Sequence, residues 1–174
     1  MKTVLITLLF IPAFLNAFAQ DSSCIKKEYD QFEGTTNYRI TDTVFRINDK
    51  VSLMISAGGS KISKKNMYLY FIDKNMITTD ENSTVTLLFS DGSKQKMTNT
   101  IRYNLNGTFM LVYPDIKFGG GKKMIQELLS NNIKAIRFNG FSTLDDVEIS
   151  PDISSALNKI LNCFYSGWKK YEND

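Results

Sequence analysis

Cys24 and Cys163 constrain this chain more than any other feature, because they are its only cysteines and lie near opposite ends. In an exported protein, two cysteines imply one disulfide. A bond between them would close a loop of 139 residues and tie the N-terminal segment to the last amphipathic stretch. On the chain-entropy account that closure is worth roughly 4 to 5 kcal/mol. The alternative roles, a redox couple or a thiol nucleophile, fit poorly. Redox couples are close in sequence, as in Cys-x-x-Cys, and a cysteine nucleophile usually needs a histidine base. The chain has no histidine.

The N-terminus supports export. Lys2 precedes an apolar run from Val4 to Phe14, and Ala17-Phe18-Ala19 supplies the small-x-small pattern of a signal-peptidase site. The reading is a signal peptide over residues 1–19 with cleavage before Gln20. Pro12 and Asn16 interrupt the run, which falls short of the roughly 20 apolar residues of a membrane span. Asp21 stands where a lipidation box wants an apolar residue, three before Cys24, so a soluble mature protein is expected. Taking 19 from 174 leaves 155 residues, enough for one domain with a real core. The mature charge is 20 minus 18, or +2, too balanced to suggest a nucleic-acid partner.

Residues 20–174 then read as a single α+β domain. Short β-prone runs follow one another: 29–40, 44–47, Val51–Ala57, Met67–Asp73, Thr84–Phe89, Lys94–Met97, 101–105 and Thr108–Tyr113. Asp91-Gly92 and Asn106-Gly107 sit between such runs, where residues tolerant of positive φ predict hairpins. Hairpin signals argue for antiparallel pairing rather than βαβ units. Met124, Ile125, Leu128 and Leu129 share one face of a short helix near 122–131, and Ile133–Phe138 reads as a buried strand. Ser150-Pro151-Asp152 opens a second helix, with a cap, a proline at the first position and an acid at the positive end of the dipole. Its apolar stripe runs through Ile153, Leu157, Ile160, Leu161, Phe164 and Trp168, with Cys163 on the flank. The expected architecture is an antiparallel sheet of about six to eight strands. The helix near 122–131 and a C-terminal helix near 151–169 would pack on one side.

Catalytic patterns are scarce. Without histidine a Ser-His-Asp triad cannot form. Ser93-Lys94 is a Ser-Lys pair just past a hairpin turn, without companion motifs. Gly120-Gly121-Lys122-Lys123 would suit an anion at a helix start, yet the P-loop pattern fails at Ile116 and Lys123. The bland reading is an entry turn with solvated lysines. Asp145, Asp146 and Glu148 are the densest acids and the best of the weak metal candidates, although turn acids explain them more simply. No metal or other cofactor is expected. On Met67–Ile72, Tyr68 and Tyr70 point opposite to Met67, Leu69 and Phe71. They would form an aromatic binding face if the second side of that strand were open, with burial on both sides the simpler reading. Two sequons, Asn82-Ser-Thr and Asn106-Gly-Thr, matter only in a eukaryotic secretory route.

Cys24-Ile25, then Tyr29-Asp30-x-Phe32-x-Gly34-Thr35-Thr36 and the phrase Leu88-Phe89-Ser90-Asp91-Gly92-Ser93, resemble small uncharacterised exported proteins of Gram-negative bacteria. The resemblance implies a β-rich domain ending in a helix, and no activity. The functional expectation is a periplasmic or extracellular, non-enzymatic domain that binds a protein or glycan partner in the envelope. The alternative is a hydrolase of envelope polymers using a carboxylate pair or Ser-Lys chemistry, with Asp91 or Lys96 facing the acids at 145–148.

Overall fold

The computed structural model describes residues 24–32, 34–40, 44–59, 66–76, 78–114 and 120–172. The expected signal segment and Lys117–Gly119 of the glycine-rich entry lie outside these residues. Among the described residues, twelve strands and two helices follow one another: β1 (Ile25–Asp30), β2 (Thr35–Ile40), β3 (Phe45–Arg46), β4 (Val51–Gly59), β5 (Asn66–Asp73), β6 (Thr79–Asp80), β7 (Thr84–Phe89), β8 (Lys94–Thr98), β9 (Tyr103–Asn104), β10 (Thr108–Pro114), α1 (Gly120–Ser130), β11 (Ile133–Asn139), β12 (Leu144–Glu148) and α2 (Pro151–Glu172).

All strand pairs are antiparallel, and the class is α+β. The strands divide among three sheets rather than one continuous layer. The largest has the order β1-β2-β4-β5-β10, with β3 also on β4; the second runs β12-β11-β7-β8; β6 and β9 form a two-stranded ladder. The Asp91-Gly92 turn joins β7 to β8 as expected, with Gly92 at φ 87°. Asn106-Gly107 also turns, with Gly107 at φ 64°, but it does not close a hairpin between its flanking strands. β9 leaves to pair with β6, and β10 takes β5, with Leu111 opposite Leu69.

Alternation on β5 and β10 sends Met67, Leu69, Phe71, Phe109, Leu111 and Tyr113 into the core, each fully buried. The second sheet contributes Val85, Leu87, Phe89, Ile136 and Phe138. Phe138 joins the two sheets, its ring 5.7 Å from Phe71 and 5.1 Å from Phe109, distances at which aromatic pairs add to plain burial. α2 lays Leu157, Leu161, Phe164 and Trp168 into the same cluster, and α1 adds Ile125 and Leu128.

Buried polar groups are tied to neighbours. Tyr113 Oη donates to Gln95 Oε1 at 2.9 Å, and Gln95 Nε2 donates to the Met124 carbonyl at 3.1 Å, joining β10, β8 and α1. Burial pushes the Tyr113 hydroxyl far above its ordinary pKa, so it stays a donor. Asn158 and Asn162 of α2 donate to the Leu129 carbonyl, satisfying an acceptor that the end of α1 would otherwise leave open.

The expected disulfide is present. Cys24 at the start of β1 is bonded to Cys163 on α2. One turn further along that helix, Gly167 lets Ile25 approach: a Cβ there would stand 2.5 Å from Ile25 Cδ1.

Candidate functional site

The glycine entry resolves into two glycines with different surroundings. Gly121 is buried at the start of α1, where a Cβ would collide with the Pro114 carbonyl oxygen of β10. Gly120 meets nothing within 4 Å. Lys122 and Lys123 are both exposed. Gly121 therefore lets a helix pack tightly on a strand end, and among the described residues no buried polar group joins the two lysines in forming an anion seat.

Tyr68 and Tyr70 lie on the outward face of β5, half-buried, with ring centroids 6.3 Å apart. Strand register places Ser56 and Met54 of β4 on one side and Val112 and Met110 of β10 on the other. This face is not sealed as the core face is. Burial raises the Tyr70 hydroxyl pKa despite a hydrogen bond with Ser56.

Asp145, Asp146 and Glu148 belong to β12, not to a turn. The sparse apolar alternation of Val147 and Ile149 hides this strand from pattern reading, because its outer row is wholly polar or exposed. Pleating separates the three acids. Asp146 and Glu148 face outward, whereas Asp145 is half-buried on the same side as Val147. Asp146 receives two hydrogen bonds of 2.7 Å from the Arg137 guanidinium, which hold its carboxyl below the ordinary carboxylate pKa. Among the described residues no three acidic or cysteine side chains converge as a metal cluster.

Ser93 of the Ser-Lys pair is engaged within its own turn. Ser93 Oγ donates to Asp91 Oδ1 at 2.7 Å within an exposed turn, lowering the Asp91 pKa. Lys96 does share the outer face of the second sheet with Asp146, through the row Lys96–Thr86–Arg137–Asp146. Lys94, Arg137, Asp146 and Glu148 line a shallow recess of about 270 Å³ on that face.

One end of the molecule carries features that sequence reading did not single out. Four connections meet there, after β3, β5, β9 and β11. β6 stands between two of them: Asn104 Nδ2 of β9 donates to Thr79 Oγ1 at 2.6 Å, and Phe141 N donates to the Thr78 carbonyl from the other side. From these flanking segments Tyr103, Leu105, Phe141 and Leu144 project with 59% to 72% of their surface exposed. The segments themselves are fixed. Gly107 needs its positive φ, since a Cβ would strike the Asp73 and Met76 carbonyls, and its own carbonyl accepts from Asp73 N at 3.0 Å. Thr143 Oγ1 bonds Met76 Sδ at 2.7 Å, and Gly140 N donates to the Thr143 carbonyl at 2.8 Å. Isolated exposed leucines and phenylalanines are ordinary; these four stand on two segments, loop and strand end, that hydrogen-bond to the β6 region from either side. Local pattern gave no hint of it, since 103–105 and 141–144 become neighbours only through β6.

The described residues include no helix long and apolar enough to cross a membrane. A family of unknown function (DUF6705) matches residues 1–147. No curated protein and no solved structure matches the chain.

Proposed function

We propose, for a chain that belongs to the DUF6705 family of unknown function, a role as an exported binding module that docks a protein partner on its loop end. The observation that carries this reading is the display of Tyr103, Leu105, Phe141 and Leu144 on loops and strand ends held by hydrogen bonds. Rigid aromatic and aliphatic anchors suit protein interfaces, because little conformational entropy is lost when they are buried. The Cys24–Cys163 disulfide is compatible with a periplasmic or extracellular, oxidising location.

A glycan partner is the second reading. It draws support from Tyr68 and Tyr70, whose half-open rings stand among Ser56 and Asn66, with Asn66 Nδ2 donating to Tyr68 Oη at 3.3 Å. The hydrolase reading draws less. Its general acid would have to hold a proton at neutral pH, and Arg137 keeps Asp146 ionised.

Site-specific photocross-linking in the producing cell tests the proposal. A photoreactive residue at position 141 or 105 should give one discrete adduct, whereas the same group at exposed Lys159 on α2 should not. Phe141→Ser combined with Leu144→Ser should abolish the adduct formed from position 105. Adducts of equal yield from position 159, or none from 141 and 105, refute docking at this end. Loss of envelope-polysaccharide binding on Tyr70→Ala would favour the glycan reading instead.

A further inference from the structure

At the same end, two carboxylates from strands distant in sequence converge. Asp73, the last residue of β5, is fully buried. Its Oδ1 accepts from Asn75 N at 2.9 Å, while its Oδ2 is buried with no donor. Asp145 of β12 approaches through the same asparagine, its Oδ2 accepting from Asn75 Nδ2 at 2.6 Å. Asn75 thus bridges two groups that are both acceptors. Lys50 lines the recess beside Asp145, and Asp73 Oδ2 receives no hydrogen bond from it. A buried carboxylate oxygen without a donor is expensive, and two facing carboxylates are relieved by a shared proton or by a cation between them.

We propose that Asp73 and Asp145 are ligands of a divalent cation of the calcium class, seated where the end of β5 meets β12. Several observations favour calcium over other cations. A solvent-open recess of about 300 Å³, lined by Asn48, Asp49, Lys50 and Asp145 among others, leads to Asp145 and gives an entry path with room for water ligands. The available donors are oxygens: two carboxylates, the Asn75 side-chain carbonyl once the amide turns, and water. Calcium accepts such irregular sets of six to eight oxygens, whereas magnesium demands near-octahedral geometry. Zinc would want histidine or thiolate, and the chain has no histidine and no free cysteine among its described residues. The predicted acid trio is thereby redistributed. Asp145 acts with Asp73, 72 positions away by subtraction (145 minus 73), while Asp146, bound by Arg137, and Glu148 line the outer part of the same recess.

Such a cation would join the β5–β6 turn, which holds Gly107 and Met76, to the strand that follows Phe141. The inference does not rest on the docking proposal, and calcium binding is measured without any partner. The experiment uses the full processed chain, stripped with EDTA, in thermal unfolding and isothermal titration calorimetry with calcium chloride and, in parallel, magnesium chloride. The expected result is one calcium per chain. At a hundredfold excess over Kd, Tm should rise by about 5 °C or more. Magnesium should give a smaller shift. Asp73→Asn and Asp145→Asn should each lose the calcium response, and Asp152→Asn, an exposed acid at the start of α2 outside the recess, should keep it. Because asparagine matches aspartate in shape, Asp73→Asn should fold in EDTA at least as stably as the parent. Should a variant fail to fold, calorimetry on the parent still decides. A parent Tm unmoved by 10 mM calcium (about the weakest extracellular affinity range multiplied tenfold) overturns the proposal, as does a retained response in Asp73→Asn.

Discussion

Adjacent glycines at the start of α1 should respond in opposite directions to the same methyl group. Helix propensity alone says that Gly→Ala stabilises by up to about 1 kcal/mol in a helix interior and by less in the first turn. At Gly120 a Cβ meets nothing within 4 Å, so Gly120→Ala should leave stability unchanged or raise it by a few tenths to about 1 kcal/mol. At Gly121 a Cβ falls on the Pro114 carbonyl oxygen and stands 2.9 Å from Pro114 Cγ. Backbone cannot rotate away as a side chain can, so either α1 lifts off β10 or the strand end shifts. Overpacking of this kind costs about 1 to 3 kcal/mol. Lifting α1 also loosens Ile125 and Leu128 from the core and lengthens the Gln95–Met124 hydrogen bond. Subtracting the propensity gain leaves a net loss of about 1 to 2 kcal/mol for Gly121→Ala. In a chain of this size that lowers Tm by roughly 2 to 8 °C. Urea denaturation of the three proteins, followed by the fluorescence of buried Trp168, measures both effects on one scale. Equal or greater stability of Gly121→Ala would refute the close-approach argument and reopen the reading of this loop as a free ligand-binding element.

Two further outcomes follow from the same structure. The double variant Cys24→Ser/Cys163→Ser should lose about 4 to 5 kcal/mol in urea, the chain-entropy value for a 139-residue loop, and a loss under about 1 kcal/mol would contradict that account. Asp80 accepts from Ser83 Oγ at 2.7 Å and from the Ser83 and Asn82 amides, and chiefly the Ser83 hydroxyl holds its carboxyl below the ordinary pKa. A depressed folded-state pKa contributes stability above the unfolded value, and that contribution disappears as pH falls through the folded value. Asp80→Asn should therefore lower Tm at pH 7, with the gap to the parent closing toward pH 3; a gap that widens in acid would reverse the sign argued here.

The parts of the fold readable from sequence are those set by neighbouring residues. Ser150-Pro151-Asp152 and the stripe through Leu157, Leu161, Phe164 and Trp168 define α2, because a helix carries its own period. Asp91-Gly92 defines a hairpin, because both strands and the turn are contiguous. The same logic misassigned Asn106-Gly107: the turn forms, but Leu69 and Phe71 give Leu111 and Phe109 a more apolar partner than residues 101–105 could. Allocation of strands to sheets was likewise invisible, since β7 finds β11 and β10 finds β5 through burial shared across the core. The candidate sites suffered most. Tyr68 and Tyr70 were readable as one face by simple alternation. The Asp73–Asp145 convergence and the four exposed apolar side chains around β6 depend on tertiary neighbours with no local signature.

Cys163 lies beyond every strand in chain order, so the bond to Cys24 has a place in time as well as in space. Synthesis delivers all twelve described strands before the second sulfur emerges. Sheet pairing must therefore be chosen while the chain is covalently open, guided by turns and burial alone. The disulfide cannot steer that choice; it can only ratchet it, converting a completed topology into one that survives until something reduces it. A chain whose last helix was held back would keep its first strand without its covalent tie to that helix, and closure of the bond should be visible as a late, single-step gain in resistance to protease.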